Sequence, residues 1–327
     1  MMKSGDTLIG CALAAALACV VAAPAAAQTW PSQPVRIISP FSPGGGTDFV
    51  GRLLAKNLAE QIGGTFVVEN RAGAAATIGA AMVAKAPPDG HMLLISATEM
   101  SIHPILRPKL PYDPLKDFAC ISQLTTGQFV LASHPSVPVK TVRQLIALAK
   151  TRPGQLNYGS SGTGSGTHLP GELLQSMAGI RWTHIPFKGS GSSTIGLLTG
   201  EVDFIFGSTA GVFPHVRGNR LRAVALTGAK RAVEMPDVPT IGETIPGYDV
   251  TGWYGFYAPA GTSPEIVRRL HVESRRALAR PDAKEVLIKS GNEPVGSSPA
   301  EFAAFLRAEI AKWAKVAAAN DMKKINE

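Results

Sequence analysis

The stretch Pro40-Phe41-Ser42-Pro43-Gly44-Gly45-Gly46-Thr47-Asp48 follows a β-branched run, Val35, Ile37 and Ile38, that reads as a buried strand. After it come Phe49, Val50, Leu53, Leu54 and Leu58, whose i, i+3/i+4 spacing predicts one face of a helix. The segment is therefore strand, glycine loop and helix start, with Thr47 or Asp48 placed to cap the first free amides. Adjacent glycines leave the loop without Cβ atoms, so bare N–H groups can approach a ligand closely. Those amides and the positive end of the helix dipole favour an anion. The alternative is a tight turn that binds nothing.

A second loop of the same kind, Asn157-Tyr158-Gly159-Ser160-Ser161-Gly162-Thr163-Gly164-Ser165-Gly166-Thr167-His168, lies in the other half of the chain. It sits between an apparent strand and an amphipathic helix carrying Leu169, Leu173, Leu174 and Met177. Two such loops suggest two lobes, each offering a helix N-terminus to one anion between them. A third, Lys188-Gly189-Ser190-Gly191, follows the strand Thr183 to Phe187 and precedes another helix.

Residues 1–27 read as an export signal: Lys3 in a short n-region, an apolar run from Leu8 to Ala23, and Ala25-Ala26-Ala27 as the small-residue cleavage site before Gln28. The apolar run is short for a membrane span and lacks a basic flank after it. Release as a soluble periplasmic protein is the expectation. Cleavage removes Cys11 and Cys19, leaving Cys120 alone among Phe118, Ala119 and Ile121, where a buried structural thiol is expected. An intramolecular disulfide and a cysteine metal site are excluded. The formal charge is +8. The basic residues are scattered, and Arg268, Arg269, Arg275, Arg276 and Arg280 are interrupted by Glu265 and Glu273, as on a solvated helix face. That argues against nucleic acid as a partner, while a basic balance still attracts anionic solutes.

From Pro34 onward short apolar strands alternate with helical patterns, which predicts an α/β fold with mainly parallel sheets. The glycine loops fall in different halves, and the final helices (Pro264 to Leu278, Asp282 to Lys289, Pro299 to Ala319) need a sheet to pack on. The predicted division is lobe one over 28–126 plus 250–327 and lobe two over 127–249. Two hinge crossings are placed near Gln128 and Val250. Ligands in such lobes bind outside the carboxyl ends of strands, where all three glycine loops sit.

A resemblance now adds to this reading. Val35-Arg36-Ile37-Ile38, Pro43-Gly44-Gly45, Asp48, Val68-Glu69-Asn70-Arg71-Ala72-Gly73, Pro88-Asp89-Gly90, Leu110-Pro111-Tyr112-Asp113-Pro114, Pro153-Gly154-Gln155-Leu156-Asn157-Tyr158, Pro186-Phe187-Lys188-Gly189 and Leu226-Thr227-Gly228-Ala229-Lys230-Arg231 resemble the Bug-type receptors. These are extracytoplasmic solute-binding proteins of tripartite tricarboxylate transport systems, and the likeness covers essentially the whole mature chain. It implies a two-lobed, type II-like periplasmic-binding fold, expected to be monomeric, that closes on a small organic carboxylate. It also implies a membrane partner: permease subunits, or alternatively a membrane sensor. No cofactor is expected.

Carried over by position, the first clamp is Phe41, Gly45, Gly46, Thr47 and Asp48. The second is Ser160, Ser161, Gly162, Thr163 and Ser165. Asp48 cannot itself favour a carboxylate, so capping or holding water is its expected role. His168 either touches ligand or is packed at the helix start, and Lys188 either lends charge at the pocket mouth or is solvated. Members of the family commonly carry an Asp where this chain has Gly207 and Ser208 after Phe206. The segment after Ile95 reads Ser96-Ala97-Thr98-Glu99-Met100. The expectation is that Glu99, beside Thr98, replaces the missing acid and meets a ligand amine or hydroxyl; the alternative is a solvated loop charge.

An enzyme fits less well. Gly159-Ser160-Ser161-Gly162 does not satisfy Gly-x-Ser-x-Gly. Gly162-Thr163-Gly164-Ser165-Gly166 falls one residue short of Gly-x-Gly-x-x-Gly, and no Walker lysine follows. The seven histidines show no paired metal-ligand spacing.

Overall fold

The computed structural model describes residues 30–319. The export signal and its cleavage after Ala27 lie outside the described residues. The first half opens with β1 (Val35–Ser39), α1 (Gly46–Ile62), β2 (Phe66–Asn70), α2 (Thr77–Ala84), β3 (Met92–Ala97) and α3 (Glu99–Leu106). The long β4 (Phe118–Ser133) leads into α4 (Val142–Thr151), β5 (Asn157–Ser160), α5 (Leu169–Ala178), β6 (Thr183–Pro186), α6 (Ser190–Leu198), β7 (Phe204–Ser208), α7 (Thr209–Arg217) and β8 (Arg222–Leu226). The chain returns through β9 (Thr251–Pro259), α8 (Pro264–Ala279), α9 (Pro281–Lys289), β10 (Asn292–Pro294) and α10 (Pro299–Ala319).

The strands run in the order β2-β1-β3-β9-β4-β7-β5-β6, with β8 and β10 also paired to β4. Each half has a block of three parallel strands, β2-β1-β3 and β6-β5-β7. Where the sequence pattern suggested mainly parallel sheets, the crossing strands make both sheets mixed. β9 is antiparallel to β3 and β4, and β4 is antiparallel to β7 and β8. A strand that leaves one lobe for the other must enter the second sheet against its direction. β4 does this within one run, pairing with β9 as far as Gln128 and with β7 from Phe129 onward. The return lies beside it, where Thr227 Oγ1 donates to the Val250 carbonyl at 2.7 Å and Val250 N–H donates to the Thr227 carbonyl at 2.8 Å.

β1 is buried on both faces, as a parallel strand covered by helices should be. α1 lays Val50, Leu54 and Leu58 on that sheet and turns Arg52, Lys56 and Glu60 outward. The first-half core joins Val35, Ile37, Leu54, Leu93 and Phe256 to Leu270 and Leu278 of α8. The second-half core gathers Leu145, Tyr158, Leu174, Trp182 and Phe204, and it also takes in Ile102 and Leu106 of α3 and Trp313 of α10. Phe302 and Leu306, earlier on α10, pack in the first half with Met100 and Tyr257. α3 and α10 therefore straddle the halves alongside the two crossings. Cys120, expected to be buried, is half-buried on β4, and its desolvation pushes the thiol up to about 11.

Candidate functional site

The first loop is shaped by two glycines with different tasks. Gly44 has φ of +79°, a region that disfavours a side chain. At Gly46 a Cβ would stand 1.8 Å from the Tyr254 hydroxyl oxygen, so only a bare backbone fits beneath that phenol. α1 then begins with Gly45 as its N-cap and no side chain capping it. This corrects the expectation that Thr47 or Asp48 caps the helix. Thr47 Oγ1 accepts from Ser39 Oγ at 3.1 Å. Asp48 reaches back to accept from Gly44 N–H at 3.1 Å and pairs with Arg52 at 2.9 Å. Burial opposes the charged form of Asp48, but the bonds from Arg52, the Gly44 amide and Asn70 outweigh it and hold the carboxyl below the usual range. Phe49 donates to the Gly45 carbonyl at 3.0 Å as the helix ladder begins. The amides before it have no intrahelical acceptor and point beyond the helix end.

The second loop works by another device. α5 starts only at Leu169, and residues 161–168 form turns folded on their own hydroxyls. Thr167 Oγ1 accepts from Ser161 N–H at 2.8 Å and bonds the Ser161 and Ser165 hydroxyls at 2.8 and 3.2 Å. Ser160 Oγ is committed to His184 Nε2 at 2.6 Å and to the Gly162 amide at 3.1 Å. Burial, with His168 beside it, pushes His184 down to about 3, so this ring is neutral. His168 accepts from Gly164 N–H on Nδ1 at 3.1 Å and lies 4.1 Å from His184, ring centre to ring centre. Of its two sequence readings, the packed helix-start histidine is the one this geometry describes.

The loops meet. Ser42 N–H donates to the Lys188 carbonyl at 3.0 Å, and Ser42 Oγ lies 3.2 Å from Ser192 Oγ. Arg107 Nη2 donates to the Thr163 carbonyl at 2.8 Å. A Cβ on Gly162 would be 3.1 Å from that of Ala75, and one on Gly191 only 2.3 Å from the Pro43 carbonyl oxygen. The two halves are closed on each other. Between them lies a cavity with about 40 Å³ open to the centre of a water-sized sphere, room for a few waters or part of a small solute.

Of the predicted residues, Phe41, Gly45, Gly46, Thr47, Glu99 and Ser161 line this cavity. The others support it or lie outside its wall. Asp48, Ser160, Gly162, Thr163 and His168 have the contacts given above. Ser165 holds Thr167, Thr98 Oγ1 accepts from Trp253 N–H at 3.4 Å, and Ser208 caps α7 through Gly211 N–H at 3.4 Å. Gly207 is packed so tightly that a Cβ would lie 2.3 Å from Val212. Lys188 is exposed and contributes its carbonyl.

The wall also holds residues absent from the sequence expectation: Gln128, Phe129, Thr167, Ser190, Thr209, Trp253, Tyr254 and Asn292. Ser190 and Thr209 had a visible signal, since each opens a helix just after a strand end. The crossing-strand residues had none, because which face of a hinge strand meets a cavity depends on the partner lobe.

Glu99 is the one charged side chain in the wall among the described residues. The loop-charge alternative does not hold, because Glu99 opens α3 and is 1% exposed. α3 escaped the sequence pattern because Met100, Ser101, Ile102, His103 and Leu106 are all buried, which erases an amphipathic stripe, and because Pro104 sits inside it. Glu99 Oε1 accepts from Ala97 N–H at 2.8 Å and from Ser96 Oγ. Oε2 is buried without a hydrogen-bond partner among the described residues. Desolvation raises its carboxyl above the ordinary range, against the lowering effect of those hydrogen bonds.

With this geometry in hand, comparisons place the chain among known proteins. A sequence model of the tripartite tricarboxylate transporter family receptor matches residues 50–322. Protein BugT of Bordetella pertussis is 36% identical over 299 residues, 90% of this chain and 92% of that protein. An R. palustris protein solved with adipate superposes with a TM-score of 0.86 at 36% identity, covering 89% of this chain and 98% of that one. MatC from Rhodopseudomonas palustris with bound malate gives 0.84 at 32% identity, covering 88% and 99%.

Proposed function

From the premise that the chain belongs to the tripartite tricarboxylate transporter receptor family, whose members are periplasmic solute-binding receptors and not enzymes, we propose that it binds a small organic carboxylate between its lobes. The observation that carries this reading is the inter-lobe cavity onto which the uncapped start of α1 opens. Ser161 and Thr167 face it from the second half, with Ser190 and Thr209 at the starts of α6 and α7. One carboxylate accepts from the Gly45, Gly46 and Thr47 amides and from the hydroxyls opposite, directly or through water. Hydrogen bonds to a charged acceptor contribute about 1.5–3 kcal/mol each, and a helix terminus about 0.3–2. Micromolar binding needs about 8 kcal/mol, so several of these must act together in a dry site.

The protein is exported, loses residues 1–27, and as a monomer hands its ligand to permease subunits of a tripartite tricarboxylate-type system. No helix among the described residues is long and apolar enough to cross a membrane. Two measurements test the reading. Mass spectrometry of the solute released when freshly purified protein is denatured should find an organic acid. A thermal-shift series with succinate, malate, adipate and citrate should find at least one that stabilises, by about 2.7 kcal/mol at a hundred times its Kd. The proposal fails if no acid is released and none of the series raises the unfolding temperature.

A further inference from the structure

Glu99 poses a question that recognition of one carboxylate does not answer. Its Oε1 is satisfied by Ala97 N–H and Ser96 Oγ, its Oε2 is not, and both are out of water in the wall of a cavity that has no lysine, arginine or histidine in it. A buried carboxylate is tolerated when it is paired, hydrogen-bonded or protonated. The ionisable groups around it are the phenols of Tyr112, Tyr254 and Tyr257, each held further towards its neutral form by Glu99. The phenols cannot supply a positive charge. Further along α3, His103 bonds Tyr112 and is pushed down to about 3 by burial and by Arg107. Arg107 itself donates to the Thr163 carbonyl and does not line the cavity. We infer that Glu99 is the counter-ion for a cationic nitrogen carried by the ligand, so that the cavity takes a zwitterion with its carboxylate at the start of α1 and its ammonium at Glu99 Oε2.

This inference rests on the carboxylate reading above and narrows it. A dicarboxylate would bring its second anion against Glu99 with no cation in the wall to offset either charge. An amino-bearing acid supplies that cation and gives Oε2 its missing donor. Protonation gives the two cases opposite signs. Burial keeps a proton on Glu99 to higher pH than for an exposed glutamate. An ammonium beside Oε2 favours the ionised form, so binding expels that proton to solvent and tightens as pH rises through the free-protein value. A second carboxylate would instead require the proton to stay, so its binding would take up protons and tighten as pH falls.

The experiment is calorimetric titration of the full chain with 4-aminobutyrate, aspartate, succinate and malate, each in phosphate and in Tris. Buffers of different ionisation enthalpy reveal the protons exchanged. The expected result is that an amino-bearing acid binds tightest with net proton release in the unmodified protein. Glu99→Gln, which keeps the side-chain shape and the acceptor for Ala97, should weaken that ligand by about tenfold or more, the scale of one charged hydrogen bond. It should leave succinate unchanged or tighter.

Tightest binding by succinate or malate with proton uptake overturns the inference and leaves the carboxylate reading standing. So does a Glu99→Gln variant that binds all four as before. Failure of all four to bind overturns the inference, while the thermal-shift series separately decides the carboxylate reading.

Discussion

Gly46 lies under Tyr254 so closely that a methyl group there would meet the phenol oxygen at 1.8 Å and the ring carbon that bears it at 2.6 Å. One residue earlier, a Cβ at Gly45 would find its nearest neighbours at 3.7 Å, ordinary contact. The two glycines should therefore respond differently. Gly46→Ala is expected to cost about 1–3 kcal/mol, the range for overpacking, and to push the first-turn amides out of position. Gly45→Ala should stay within about 1 kcal/mol, its cap preference being slightly worse. Chemical denaturation of both variants, with a carboxylate titration, checks the order.

The imidazoles give a second expectation at this scale. Burial pushes both His103 and His184 down to about 3 from 6.5. The unfolded chain therefore takes up protons below pH 6.5 that the folded chain refuses, and stability falls as pH falls, by up to about 1.4 kcal/mol per unit per ring. Glu99 is shifted upward and works in the opposite direction, so two rings against one carboxyl leave a net loss. Carboxyls with lowered values, such as Asp48, add their losses only at lower pH. Unfolding temperature should thus decline between pH 6.5 and 5, and less steeply in His184→Gln.

The loops and helix starts show what sequence can and cannot convey. β1, the glycine turn and α1 were readable because each depends on its own residues: a β-branched run, a positive-φ glycine and an amphipathic stripe. The second loop has equally evident composition, yet its glycines do not lead straight into a helix, and its order comes from the Thr167 hydroxyl serving three partners. Composition does not say which hydroxyl in Ser-Ser-Gly-Thr-Gly-Ser-Gly-Thr becomes the hub. β4 carries a plain apolar, strand-like run only at Phe129 to Ala132. Its earlier part carries Gly127 and two register shifts against β9, which break the alternation that marks a strand. Gln128, Trp253 and Tyr254 were hidden for the same reason, since their place in the wall follows from how the two crossing strands lie together.

The hub makes a testable claim. Thr167→Val keeps the shape but strands the Ser161 amide and frees two serine hydroxyls, at a cost of about 1–3 kcal/mol for the buried donor. Ligand affinity should fall about tenfold, since Ser161 and Thr167 both face the cavity. Thr163→Val should change it little, because that residue serves the loop through its carbonyl, held by Arg107. Paired titrations of the two variants distinguish an organised hydroxyl loop from one whose glycines alone matter.

At the scale of the molecule, closure raises the question of how a solute enters a cavity of about 40 Å³, with room for only part of it, between halves that also touch at Ser42 with Lys188 and at Arg107 with Thr163. Entry requires an open form, and the fold restricts what opening can be. Two strand crossings side by side would make a simple hinge, but α3 and α10 also bridge the halves. Phe302 and Leu306 lie in the first-half cores, and Trp313, two turns further on, is in the second-half core with its indole donating to Glu309 at 3.1 Å. Opening must therefore part α3 and the end of α10 from α5 or bend α10, and the packing of Trp313 in the second-half core favours the closed arrangement before any ligand arrives. A closed form already favoured spares the ligand part of the free energy of closure, which appears as affinity. Trp313→Phe removes the indole hydrogen bond and some contact while keeping an aromatic core. It is expected to shift the ligand-free protein towards the open form, with a larger radius of gyration in small-angle scattering and weaker binding. Saturating ligand should bring the variant back to the compact value. If the variant's ligand-free scattering matches the unmodified protein while affinity still drops, α10 does not restrain closure and Trp313 acts on stability alone.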